Sequence, residues 1–249
     1  SAIKRLLRFW HQLEMPVAAD PQLLKAPRAP RRLPDAPGIE TVTRLLDNRE
    51  SGQEPTGAPG TPQGEARRTR AARDRCLFEW LYGSGLRLAE LVAMDLTDID
   101  LAAGQARVTG KRDKTRVVPV GHKAADAMRD WLALRQAWDR AGIAAIFIND
   151  RGRRLSARSV QLRLDRACRR AGLDTPLHPH QLRHAFATHV LESSGDLRAV
   201  QEMLGHESLT TTQIYTHLDF QHLMSVYEHA HPRASRRDHF DDAPADESG

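Results

Sequence analysis

Apolar residues recur along most of this chain at helical rather than strand spacing. Ile3, Leu6, Leu7, Trp10 and Leu13 make one amphipathic stripe, and Ile39–Leu46 makes a second, shorter one. From Arg67 to Tyr82 the period is helical until Gly83-Ser84-Gly85 breaks it, and Leu86–Met94 resumes it with Arg87 in the first turn. Alternation takes over at Thr97–Leu101, Gln105–Thr109 and Thr115–Val120, with turns at Gly104 and Gly110–Lys114, which predicts a small antiparallel sheet. Helices are predicted over 122–141, 156–171, 179–193, 196–204, 208–216 and 219–230, and a short strand at Ile146–Ile148. The fold class is mainly α with a small antiparallel β-sheet.

Two stretches interrupt this pattern. Pro16–Pro37 carries six prolines among basic residues and reads as an extended linker. Glu50–Glu65, ESGQEPTGAPGTPQGE, is a low-complexity insert expected to be disordered, and the charged tail over 234–249 is expected to be flexible.

A chain of 249 residues with 40% hydrophobic content can bury one good core. No run approaches the roughly 20 apolar residues that span a bilayer, and no signal peptide opens the chain. Cys76 and Cys168 make no disulfide framework, so a reducing cytoplasm is the expected compartment. A net charge of +5 favours a polyanionic partner without naming it. Only five of the 37 basic residues are lysines, and two of those, Lys111 and Lys114, share one loop.

The chemistry concentrates between His178 and Tyr215, HPHQLRHAFATHVLESSGDLRAVQEMLGHESLTTTQIY. His180 and Arg183 stand three apart, so one helix face presents both to a single target. A guanidinium fork matches two phosphate oxygens. Gly205-His206 marks a turn, and Tyr215 follows nine residues later. His180-Gln181-Leu182-Arg183-His184 imitates the HExxH zinc motif, but glutamine replaces the glutamate that serves as base, so no metal and no cofactor is expected.

HPHQLRHAFATH, LGHESLTTTQIYTH and VYEHAHPRA, together with YGSGLRLAEL and TGKRDKTRVVPV, resemble the catalytic domain of tyrosine site-specific recombinases of the Xer type. The likeness covers roughly residues 67–233 well and the first 48 loosely. It implies a tyrosine recombinase catalytic-domain fold over 39–233 carrying the insert at 50–65, a Pro-rich linker over 16–38, and in 1–15 the last helix of an N-terminal core-binding (SAM-like) domain. Arg28, Arg31 and Arg32 of the linker would then meet DNA phosphates or remain solvated.

The resemblance also implies roles. Tyr215 would attack phosphorus and form a 3′-phosphotyrosyl intermediate, without metal or ATP. Arg87 and Arg183 would clamp the phosphate, with Glu90 holding Arg87. Lys111 would protonate the 5′-oxygen, His180 would move the tyrosine's proton, and His206 would donate to a phosphate oxygen. Lys114, Arg116, Arg158 and Gln161 would contact DNA.

The implied partners are double-stranded DNA, a XerD-like recombinase in a heterotetramer at a dif-like site, and a controlling DNA translocase. The apolar stripe Phe220, Leu223, Val226 and Tyr227 would pack on a neighbouring subunit in trans, or on its own domain. Two rival readings stay open: a mobile-element or phage integrase with the same chemistry, and a catalytically silent DNA-binding homologue.

Overall fold

The structure is a computed structural model, described over residues 36–48, 60–110, 113–205 and 217–234, with backbone alone at 217–219. The chain divides into two units, Ser1–Asp35 and Ala36–Gly249. The first unit, with the expected helix over 1–15 and most of the linker, lies outside the described residues, as do most of the insert and the tail.

The elements of the second unit follow the predicted order. They are α1 (Ile39–Asp47), α2 (Pro62–Gly83), α3 (Leu88–Ala93), β1 (Ile99–Asp100), β2 (Gln105–Thr109), β3 (Thr115–Pro119), α4 (His122–Arg135), α5 (Ala157–Arg170), α6 (Pro179–Ser194), α7 (Leu197–Leu204) and α8 (His217–Ala230). The predicted helix over 208–216 falls outside the described residues.

Helix α2 starts earlier than its apolar period suggested, inside the end of the predicted insert. The Thr61 hydroxyl accepts from the Gly64 N–H and Pro62 occupies the first turn, which satisfies the helix start locally. Its last two turns, Cys76–Gly83, are buried all round, so this half is the hub of the core and packs on α4, α5 and α6. The Trp80 indole reaches the Ala124 carbonyl of α4 at 2.9 Å.

The sheet is antiparallel in the order β1-β2-β3, with Val108 opposite Arg116 and Ala106 opposite Val118. Ala106, Val108 and Val118 point into the core, and α7 and α8 pack against β3.

Other predicted elements differ as well. The strand expected at Ile146–Ile148 is a buried, bent segment with isolated bridges and no ladder. Two of its carbonyls bond to side chains instead, Trp131 and Arg135 at Ile146 and Arg73 at Ile148. The helix predicted to reach residue 141 ends at Arg135. There Asp139 accepts from both the Arg135 guanidinium and the Ile143 N–H and turns the chain.

The stripe on α8 packs on its own domain, against α6, α7 and β3, the second of the two options left open by the sequence. Leu223 and Tyr227 are buried there, and the Tyr227 hydroxyl donates to the Gly83 carbonyl at 2.7 Å. Beyond α8 the chain is locked down. Buried Arg233 donates to Glu79 of α2 and Asp47 of α1, and the Ala234 carbonyl accepts from His122 at 3.1 Å.

Candidate active site

The site is built on a glycine turn between α2 and α3. Gly85 has a left-handed φ of 58°, and a Cβ there would sit 2.4 Å from the Phe186 ring of α6. Only glycine lets α6 approach this closely. The approach brings Arg183 under the turn, where it donates to the Gly85 carbonyl at 2.6 Å and to the Leu204 carbonyl at the end of α7 at 2.7 Å.

Arg87 caps the start of α3, one position before the first turn in which the sequence placed it. Glu90, three residues on, accepts from the Arg87 backbone N–H at 2.9 Å and from its guanidinium at 2.8 Å. Arg183 Nη1 lies 3.9 Å from the same carboxylate. Segments about a hundred residues apart in sequence therefore converge on one anion.

Above this cluster opens a pocket of about 370 Å³ lined by Leu86, Arg87, Leu88, Gln161, His178, Pro179, His180 and Arg183. Four of the residues picked from sequence, Arg87, Gln161, His180 and Arg183, thus share one cavity wall. His178, given no role from the sequence, lines it too; its backbone N–H is held by the Gln181 side chain at 2.8 Å. That bond gives Gln181 a capping role where the zinc motif would have its base.

Electrostatics favour an anion in this pocket. Burial, with the Arg87 charge adding to it, lowers the Arg183 guanidinium to about 10, so it stays charged at neutral pH. Burial alone would raise the Glu90 carboxyl, but hydrogen bonds from Arg116 and Arg87 outweigh it and hold the group at about 2.

Arg116 departs from expectation. It was read as a phosphate contact, yet it is only 8% exposed. Its Nη1 and Nη2 donate to the two Glu90 oxygens at 3.0 and 2.9 Å, and its Nε donates to the Met203 carbonyl at 3.0 Å. A guanidinium with every edge engaged inside the protein cannot reach DNA. The signal was present in the strand pattern: Arg116 is two residues from inward-facing Val118, so alternation turns it into the core, where a charge needs a buried partner.

Lys114, Arg158 and Gln161 are exposed, as groove or backbone contacts need to be. Lys111, His206 and Tyr215 lie outside the described residues, but the residues that precede two of them are in place. Gly110, before Lys111, and Gly205, before His206, both back onto the Glu90–Arg116 pair. A Cβ at Gly205 would lie 3.0 Å from Arg116 Cδ and Nε, and its φ is 65°.

The other two tyrosines are unfit as nucleophiles. Tyr82 is buried with its hydroxyl 2.9 Å from His189 Nδ1, and Tyr227 is committed to Gly83; burial raises both phenols.

The chain belongs to the phage integrase family, whose model matches residues 63–222. Among curated relatives it is 52% identical over 215 residues to the tyrosine recombinase XerC of Alcanivorax borkumensis, covering 86% of this chain and 66% of that protein. The XerC of Escherichia coli O6:K15:H31 is 47% identical over 213 residues, again 86% of this chain and 66% of the relative. The chain thus spans about two thirds of the length of the curated relatives it matches.

Among solved structures, XerA recombinase aligns over 93% of this chain and 75% of its own, with a TM-score of 0.58 and 29% identity. A XerH site-specific recombinase bound to palindromic difH substrate in a post-cleavage complex aligns over 79% and 53%, with a TM-score of 0.59 and 27% identity.

Proposed function

We propose that this chain is the catalytic part of a Xer-type recombinase, which cuts and rejoins double-stranded DNA through a phosphotyrosine at Tyr215. The observation that carries the reading is the convergence of Arg87 and Arg183 on one pocket wall with His180 beside them.

The geometry suits phosphoryl transfer. A phosphate seated in the pocket meets two guanidinium forks, which balance the charge that grows on its non-bridging oxygens as the phenol attacks. The new bond joins Tyr215 oxygen to phosphorus, and the bond to the 5′-oxygen breaks. His180 takes the phenol's proton, Lys111 returns one to the departing 5′-oxygen, and His206 donates to a non-bridging oxygen. The phosphotyrosyl ester conserves the bond, so the reverse attack by a 5′-hydroxyl reseals the strand without ATP. Lys114, Arg158 and Gln161 supply positioning and groove contacts around the pocket.

The XerC relatives at about half identity favour the Xer reading over a phage or mobile-element integrase. On that reading the enzyme works on chromosomal DNA in the cytoplasm, in a heterotetramer with a XerD-like partner at a dif-like site. There it resolves chromosome dimers under control of a DNA translocase.

A nicked suicide duplex tests the chemistry. The wild-type chain traps as a covalent protein–DNA adduct and Tyr215→Phe does not. If both shift the duplex and neither forms an adduct, the chain is a binding module and not a recombinase.

A further inference from the structure

Arg116 has the position of a residue that sets the phosphate clamp without touching the phosphate. It is buried on β3 and holds Glu90 of α3 through both oxygens and the end of α7 through the Met203 carbonyl. The two glycines that lead into Lys111 and His206 back onto the same pair of side chains. Resting on the recombinase reading, we infer that Arg116 is a positioning residue: it occupies both Glu90 oxygens, so that Arg87 and Arg183 keep their charge for the substrate.

The distances carry the argument. Glu90 is the one carboxylate that ion-pairs with all three arginines among the described residues. Arg116 takes the bidentate seat at 2.9 and 3.0 Å, while Arg183 stands off at 3.9 Å and gives its short bonds to two backbone carbonyls. Arg87 keeps one guanidinium bond to Glu90 and leaves its side chain 42% exposed toward the pocket. Without Arg116, a buried carboxylate with a vacated face draws in the guanidinium that stands off it. Arg87 is already bonded at 2.8 Å, so the one free to move in is Arg183, from 3.9 Å; a displacement of the order of an ångström at a catalytic group costs about 10²-fold in rate.

The test measures single-turnover adduct formation on a saturating nicked duplex, per folded molecule, beside DNA affinity as a function of salt. Arg116→Gln is expected to cut adduct formation about 10²-fold while leaving DNA affinity and its salt slope unchanged. Arg116→Lys keeps the charge but cannot bridge two oxygens, and loses about tenfold. Arg116→Gln/Glu90→Gln removes the bare carboxylate and recovers about tenfold over Arg116→Gln. Should Arg116→Gln not fold, the lysine variant and the double variant decide the matter against wild type.

Three results overturn the inference alone: Arg116→Gln cleaving at the wild-type rate, a double variant no better than the single, or a salt slope reduced by about 1, the mark of a lost phosphate contact. A wild type that forms no adduct overturns the recombinase reading and this inference with it.

Discussion

Arg183 beside the pocket and Arg233 beyond the last helix are both buried arginines that tie distant segments together, yet they sit in opposite fields. Arg233 lies between two carboxylates, Glu79 and Asp47. Arg183 shares one carboxylate, Glu90, with two other arginines. Burial by itself lowers a guanidinium. At Arg233 burial is outweighed by the hydrogen bonds it donates to Asp47 and Glu79, and the group is raised. At Arg183 burial and the repulsion of Arg87 prevail, and the group falls to about 10. One network is closed by its own carboxylates and serves the fold. The other carries surplus positive charge, a cost in stability that only an anionic ligand relieves.

The largest effect that separates the two regions is expected at Arg233. Arg233→Met strands Glu79, which is 1% exposed, without its buried partner. The expected loss is about 3–5 kcal/mol of folding stability, as for other broken buried pairs, read from denaturant unfolding. Cleavage per folded molecule should not change. A variant that stays stable but stops cleaving would place the C-terminal lock in the active site and abolish the distinction.

Arg183→Gln is expected to do the reverse. On the proposed mechanism, losing one transition-state fork costs about 10²–10³ in cleavage rate, roughly 3–4 kcal/mol, measured on the nicked duplex. Stability should fall less than at Arg233, because a charge that burial and a neighbouring arginine both disfavour has gone. Equal losses of stability in the two variants would show that the surplus charge costs the fold nothing.

Much of this was legible in the residues because local pattern and local chemistry agree. The core helix, the three-stranded sheet and the pocket wall formed by Arg87, His180 and Arg183 follow from period, glycine breaks and motif. What was not legible depended on contacts made across the fold. Ile146–Ile148 looks like a strand until Trp131, Arg135 and Arg73 claim its carbonyls. Tyr227 and Leu223 look like an interface until α6, α7 and β3 cover them. Arg116 sits in a basic hairpin and reads as a DNA contact, although β-alternation already pointed it inward. Composition described the loop, and the pleat decided the side chain.

Acid should distinguish the Glu90 carboxylate from ordinary surface acids. Glu90 is held at about 2 in the folded chain, against 4.5 for the free group. The folded state therefore keeps this carboxylate ionised where the unfolded state has taken up its proton. The stabilisation is complete above pH 4.5, declines as pH falls through the interval, and is gone below about 2. A difference of that size corresponds to about 3 kcal/mol. Asp139, Asp150 and Asp196 are also lowered and add to the wild-type slope, so the comparison must be made against Glu90→Gln. Denaturant unfolding across this range should show wild type losing about 3 kcal/mol more than Glu90→Gln, the two curves converging toward pH 2. Parallel curves would mean that Arg116 and Arg87 grip the carboxylate no more tightly than water does, and the pocket's charge surplus would then lack its anchor.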